Sequence, residues 1–385
     1  MLIYSLLKLF ILLLIYLITL DLMSLVHKIA LSLIKNVGPM VAKNLLIHFG
    51  SAEAVFAATK EQILKLDGIG EFRANAILHN DAIEKAEKHI EFIEKHNIQV
   101  LFYADDNYPK RLRNCYDAPL LLYYKGTADL NHKRIVSVVG TRNATAYGKM
   151  LCKQLAEVLK AYDVIIMSGL AHGIDAAAHK ESLAFEVPTV GVLGHGLDRI
   201  YPAVHKELTQ KMVHNGGLLT EFLPGTNPDR ENFPKRNRII AGISDVTIVV
   251  EASLKGGALI TAEIANSYNR DVYAFPGRVN DEFSEGCNFL IKTNRAALIN
   301  NPMDLIYYLG WDDEVPKKPE IQVQLPLDLT KDEERIYHIL KENALSIDEL
   351  SLVVNLAQSK LAIILLTLEM QGVIISLPGK VYKIA

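Results

Sequence analysis

The stretch FPKRNRIIAGIS at residues 233–244 carries the densest chemistry in the chain. Lys235, Arg236 and Arg238 surround Asn237 at the start of an apolar helical run, with Arg230 just upstream. Helix period places Arg238 near Gly242 and lets Ile239, Ile240 and Ile243 face a core. Phe233 can stack on a base beside these cations, a pairing common in single-strand binding. Cations are unfavourable near a helix N-terminus. An anion should compensate, which points to phosphate binding more than to a solvated charge run.

Two further stretches favour anions. VVGTRNATAYG (138–148) is a strand, a tight Gly turn, an arginine and a helix. Gly140 permits close backbone approach, the helix N-terminus favours negative charge, and Arg142 adds a bidentate donor fork. KGGALITAEIA (255–265) places Lys255 beside Gly256 and Gly257, ahead of another helix. A structural Gly turn with a surface arginine is the plainer alternative for each stretch alone. Three such turns on one sheet edge would line a groove that follows an extended backbone. Neither G-x-G-x-x-G nor G-x-x-x-x-G-K-[ST] is present, which argues against dinucleotide and P-loop sites.

Catalytic candidates are thin. In SGLAHGIDAAAH (168–179), His172 and Asp175 read as a helix entrance, with His179 four residues beyond Asp175 on the same face. His195, Glu221, Glu251 and Glu263 have no companion nucleophile, and no H-E-x-x-H or nucleophile elbow occurs. Structural roles are the simpler reading, and neither a metal nor a cofactor is expected.

The elements that must position these residues follow from periodicity. Apolar runs at Val100–Tyr103, Ile135–Val139, Val164–Met167, Thr189–Leu193, Leu218–Thr220, Val246–Val250 and Val272–Phe275 alternate with helical stretches such as Gly148–Ala161 and Gly173–Phe185. That is the pattern of βαβ units in a doubly wound, mostly parallel sheet, with ligands at the strands' carboxyl ends. Residues 23–97 read as a helical domain with Gly-centred turns at NVGPMVAKNLL (36–46) and DGIGEFRANAI (67–77), each shaped like a helix-hairpin-helix. Backbone N–H groups of such turns can approach a DNA phosphate, although a small helical bundle explains them too. The sheet domain spans 98–311, and a Pro-rich linker spans 312–329. Residues 330–385 resemble a winged helix, with helices at Asp332–Glu342, Ser346–Val353 and Gln358–Gln371 and strands at Val373–Leu377 and Lys380–Ile384. Lys360 is the one basic residue on its third helix, too few for a major-groove reader, so a protein-contact module is favoured.

Composition narrows the setting. The 385 residues balance 41 Lys+Arg against 44 Asp+Glu, and the net charge of -3 can conceal a basic cleft. Three scattered cysteines, Cys115, Cys152 and Cys287, argue against a disulfide framework and fit a reducing compartment. Residues 1–22 are apolar enough for a membrane anchor, with Lys8 the one cation in Met1–Leu20. The cytosolic character of residues 23–385 favours translation starting at Met23 and a cytoplasmic protein.

In order and spacing, SVVGTRNATAYG, SGLAHGIDAAAH, VGVLGHGLDRIYP, FPKRNRIIAGISD, GGALITAEIA and FPGRVNDEFSEGCNFLI resemble the DNA-processing protein A family (DprA, or Smf). The resemblance covers roughly residues 25–385. It implies an extended Rossmann-like α/β domain with an N-terminal helix-hairpin-helix or SAM-like domain and a C-terminal winged helix. It also implies a non-catalytic, homodimeric binder of single-stranded DNA in natural transformation, which protects incoming strands and helps load the RecA recombinase. The DNA-binding residues implied are Gly140, Thr141, Arg142, Ser168, Gly169, Arg230, Phe233, Lys235, Arg236, Asn237, Arg238, Lys255, Gly256 and Gly257. Gly-Gly-Ala at 256–258 departs from the commoner Ser-Gly-Ser and leaves that contact to backbone N–H groups. The sheet domain is also similar to phosphoribohydrolase-like Rossmann proteins, in which Arg142 and Glu263 would flank a nucleotide and hydrolyse its glycosidic bond. A membrane-tethered binder is a third reading, motivated by the first twenty residues alone.

Overall fold

Alternating side chains on the central strands set the architecture of the computed structural model, which describes residues 22–311, 329–377 and 381–384. The apolar extension and nearly all of the expected linker lie outside those residues. One sheet contains β1 (Gln99–Phe102), β2 (Leu121–Gly126), β3 (Ile135–Val139), β4 (Ile165–Ser168), β5 (Thr189–Val192), β6 (Gly216–Thr220), β7 (Val246–Val249), β8 (Asp271–Ala274) and β9 (Ala297–Leu298). Their order is β1-β2-β6-β5-β4-β3-β7-β8-β9. Pairing is parallel from β6 to β9, whereas β2 runs antiparallel to both β1 and β6.

Both faces of the sheet are covered, so its strands are apolar on both sides. On β3, Val136 and Val138 enter a cluster with Leu151, Leu155 and Leu159 of the helix Ala146–Leu159. Ile135 and Val139 join the opposite cluster, with Ile239 and Ile240 of the helix Asn232–Ile243 and Ala258 and Ala262 of the helix Gly257–Ser267. Ser137 is tolerated between them because its hydroxyl donates to the Ile240 carbonyl at 2.8 Å.

Two strands lie outside the runs expected from the sequence. The signal for β2 was present in the apolar run at Leu120–Tyr124, but a strand wedged between β1 and β6 has no helical crossover to announce it. The two residues of β9 are too few for any period to register.

Helical residues 22–95 pack against the β1–β2 edge. Phe102, Leu121 and Tyr123 share their hydrophobic cluster with Leu45, Val55, Ile63 and Ile90. Contacts accordingly divide the described residues into two units, 22–311 and 329–384, and leave the helical residues with the sheet. Ser51 and Thr59 cap successive short helices, Thr59 in a reciprocal box with Gln62.

The second unit has the helices Lys331–Glu342, Ile347–Val354 and Gln358–Met370 and a sheet of Leu345–Ser346, Ile374–Leu377 and Val381–Ile384. Leu361, Ile364, Leu365 and Leu368 of its third helix face its core. Among the described residues, no helix is long and apolar enough to cross a membrane.

Candidate nucleic-acid interface

The winding of the sheet reverses beside β3. The chain builds outward through β4, β5 and β6, then returns to β7 on the other flank and continues to β8 and β9. Loops leaving the carboxyl ends of β3 and β7 diverge there and open a crevice. A cleft of about 760 Å3 occupies it.

Gly140, Thr141 and Arg142 line the cleft from the loop after β3, and Lys255, Gly256 and Gly257 from the loop after β7. Arg230, Phe233, Arg236 and Asn237 enter it from the helix Asn232–Ile243 and the turn before it. At Gly140 a side chain would strike Ile174 and the Glu251 carbonyl, so the turn requires glycine. Glu251 ties the two loops together by accepting from the Thr145 amide at 2.9 Å and from its hydroxyl. Gly256 precedes the helix Gly257–Ser267 without a side-chain cap; its own amide bonds the Ser253 carbonyl and that of Leu259 the Gly256 carbonyl, which leaves the Gly257 and Ala258 amides for an acceptor from outside the chain.

Four cations line the cleft (Arg142, Arg230, Arg236, Lys255) against one carboxylate, Asp175. Arg236 is only 4% exposed. One of its Nη atoms donates to the Val192 carbonyl at 2.7 Å, and its Nε has no partner. Burial pulls its pKa down to about 10, with Asp175 opposing and Arg142 adding to the fall. Burial pushes the Asp175 carboxyl up, offset first by Arg236 and then by the Ala171 amide among its hydrogen-bond donors. The amides of Gly169 and Ala171 donate to that carboxylate at 3.1 and 3.3 Å. Two guanidinium groups stand by the Phe233 ring, Arg142 at 5.6 Å and Arg236 at 5.9 Å from its centroid. Tyr201 lies 6.2 Å from the same ring. It lines the cleft but was missed from the sequence, although VGVLGHGLDRIYP contains it.

Four of the expected residues stand elsewhere. Ser168 is buried and donates to the Val138 carbonyl at 2.6 Å, away from the cleft. Gly169 lies beneath Arg236, where any side chain would displace the guanidinium. Lys235 is exposed but lies outside the cleft lining. Arg238 turns away, pairing with the Glu221 carboxylate and donating to the Asp117 carbonyl. It therefore clamps its helix to the ends of neighbouring strands instead of facing an open anion site.

The catalytic candidates are likewise dispersed. Glu263 pairs with Arg295 at 2.6 Å and does not line the cleft, so no Arg142–Glu263 pair flanks a nucleotide. His179 is buried against the Thr189 hydroxyl at 2.7 Å, and burial holds its pKa down to about 3. His195 contacts the Gly196 carbonyl at 2.9 Å and is lowered by burial too. In the helical region, Gly38 and Gly70 start the helices Pro39–Phe49 and Glu71–Leu78 without side-chain caps, and Lys60 pairs with Glu71 at the second. Among the described residues, no cluster of His, Cys, Asp or Glu could hold a metal ion.

Residues 99–310 match the family described as DNA recombination-mediator protein A. Residues 320–380 match the DprA winged helix domain, and residues 28–87 match the helix-hairpin-helix motif. Protein Smf from Synechocystis sp. is 37% identical over 289 residues, covering 73% of this chain and 72% of that one. The X-ray structure of DNA processing protein A from Streptococcus pneumoniae superposes with a TM-score of 0.63 at 32% identity, over 73% of this chain and 97% of that one. A structure of DNA processing protein A from Helicobacter pylori, which concerns its single-stranded-DNA binding mode, superposes with a TM-score of 0.51 at 31% identity. It covers 56% of this chain and 96% of that one.

Proposed function

Because the chain belongs to the DNA recombination-mediator protein A family, we propose that its cleft holds the backbone of single-stranded DNA during DNA processing in natural transformation. The observation that carries this reading is the set Arg142, Arg230, Arg236 and Lys255 around the Phe233 ring at the sheet's switch point. Arg142, Arg230 and Lys255 have no carboxylate partner among the described residues, so the cleft lacks an internal counter-ion for most of its charge. Phosphates supply it, the Gly140 and Gly256 turns offer amides, and Phe233 and Tyr201 offer ring faces to bases.

In this reading the protein binds without turning its ligand over. A glycosidic-bond hydrolase would need a free carboxylate facing Arg142, but Glu263 is paired elsewhere and Asp175 is held by backbone amides beside Arg236. The binding set is Gly140, Thr141, Arg142, Arg230, Phe233, Arg236, Asn237, Lys255, Gly256 and Gly257, with Lys235 on its periphery.

Protection of incoming strands and help in loading the RecA recombinase complete the role, in a cytoplasmic homodimer. The C-terminal unit is assigned to protein contact. Its third helix leaves Ile363, Leu366 and Met370 exposed along one stripe, the last 82% exposed, which suits a protein surface better than a phosphate backbone.

The test is binding to single-stranded oligonucleotides across a salt series. About four phosphate contacts should give a log–log slope near -3, and a flat salt response would overturn the reading.

A further inference from the structure

Where the helical residues meet the sheet, the chain leaves a second pocket, of about 270 Å3. Leu33, Val37 and Pro39 line it from the helical side, and Leu121, Phe222 and Leu223 from β2 and the segment after β6. Two buried side-chain atoms on residues of its wall have no hydrogen-bond partner among the described residues, the Tyr123 hydroxyl and Glu221 Oε1. Tyr123 is 2% exposed, and it belongs to the apolar cluster that joins the helical residues to the sheet. Glu221 follows Thr220, which pairs with Tyr123 across β2 and β6, so both side chains stem from neighbouring positions on paired strands. Buried polar atoms left unpaired are costly, and other polar groups on the wall are satisfied. The Ser32 hydroxyl donates to the Ile29 carbonyl, and the Pro119 carbonyl accepts from the Tyr108 hydroxyl, each at 2.6 Å.

The two orphaned atoms differ in kind. A phenol hydroxyl has a proton to donate, whereas a carboxylate oxygen only accepts. The other Glu221 oxygen is held by Arg238, so the charge is already answered. A neutral N–H therefore suits the free oxygen better than a second cation. Water is a poor filling, because each buried water needs about two to four polar partners and most of this wall is apolar. An apolar cavity of roughly 150 Å3 takes benzene, so this one has room for two fused rings. An apolar body with a few placed polar groups is also what small-molecule pockets generally hold.

We propose that this pocket binds a small neutral cyclic amide of two fused rings, with Glu221 accepting from its N–H, Tyr123 donating to its carbonyl, and Leu33, Val37 and Phe222 against the rings. The site is separate from the DNA cleft, since no residue lines both, and it does not depend on the reading of that cleft. One segment nevertheless reaches both places. Glu221, Phe222, Leu223 and Thr226 line the pocket, and Pro228 and Arg230 line the cleft.

Titration calorimetry of the full chain with carbostyril, a bicyclic lactam, and with N-methylcarbostyril tests the proposal. Carbostyril should bind saturably, and the N-methyl compound, which lacks the donor, about tenfold or more weakly. Tyr123→Phe removes only an unpaired hydroxyl, so it should keep Tm and weaken carbostyril about fivefold to tenfold. Glu221→Gln keeps an oxygen for Arg238 but turns a donor towards the ligand's N–H, and should weaken binding further. If it also lowers Tm, Tyr123→Phe decides alone. Phe233→Ala, in the DNA cleft, should leave carbostyril affinity unchanged. Absence of saturable binding would overturn the proposal and leave the pocket to water. Equal affinity for the N-methyl compound would overturn it too, as would an unchanged affinity in Tyr123→Phe. A loss in Phe233→Ala with none in Tyr123→Phe would move the compound to the cleft and end the assignment.

Discussion

In the sheet unit, four cations face one cleft and a single carboxylate answers them. On the third helix of the C-terminal unit, Lys360 is the one cation, and its ammonium lies 2.6 Å from Asp332. Both regions have shapes that proteins use on nucleic acids, a switch-point crevice and a winged helix. They differ in whether charge is left for an outside partner. The sheet unit withholds carboxylates from Arg142, Arg230 and Lys255 and sets buried Arg236 in the same cleft as Asp175, whereas the third helix of the winged unit pairs its one lysine and exposes an apolar stripe. A fold supplies the surface, and the pairing of its charges decides what that surface can hold.

The largest test of this contrast is Arg236→Ala. Removing the guanidinium leaves Asp175 buried beside an apolar gap, at a cost of about 3–5 kcal/mol in stability, and single-strand binding should fall as well. Thermal melts would show much of the stability return in Arg236→Ala/Asp175→Asn, while binding stays low. Recovery of binding in that double variant would mean that Arg236 serves only the fold. Next, Arg142→Ala/Lys255→Ala should keep Tm and lose about 1.5–3 kcal/mol of single-strand affinity per charged contact. Its salt slope should fall by roughly 1.4.

Acid should separate the units less sharply. Burial, aided by His205 and Arg236, holds His179 at about 3 against an ordinary 6.5. The unfolded chain takes up that proton first, so stability falls as pH falls from 6.5 towards 3, by at most about 1.4 kcal/mol per pH unit. The sheet unit should therefore lose melting temperature at pH 5, and a scan showing equal loss in both units would remove the histidine explanation. The smallest effect belongs to Lys360→Ala. An exposed pair is worth about 0–1 kcal/mol, and DNA affinity should not change. A loss matching that of Arg142→Ala would erase the contrast between the two regions.

The local signals were legible in advance. The sequence predicts a helix at Gly173–Phe185, and Ile174–Ala184 is observed; it places the third winged helix at Gln358–Gln371, and Gln358–Met370 is observed. The two glycine turns, at Gly140 and Gly256, could be read because a glycine before a helix start advertises itself within a few residues. Arg238 could not be separated from Arg236. On the same helix, two positions apart, one faces the cleft and the other meets Glu221 at the end of β6. Only the placement of β6 across the sheet brings that carboxylate there. Glu263 misled in the same way, since Arg295 reaches it from a segment 32 residues away.

Short-range chemistry, then, was determined by the residues themselves: turn glycines, helix periods, the basic-aromatic run and the poverty of cations on the winged helix. Tertiary structure decided which of those side chains share a space. The winding reversal at β3 collects distant loops into one cleft and brings Asp175 to the same cleft as Arg236. Hydrogen bonds and ion pairs act over a few ångströms in space, whereas sequence period reports only on neighbours along the chain. The faces of one helix are therefore predictable, but the groups that meet them are not.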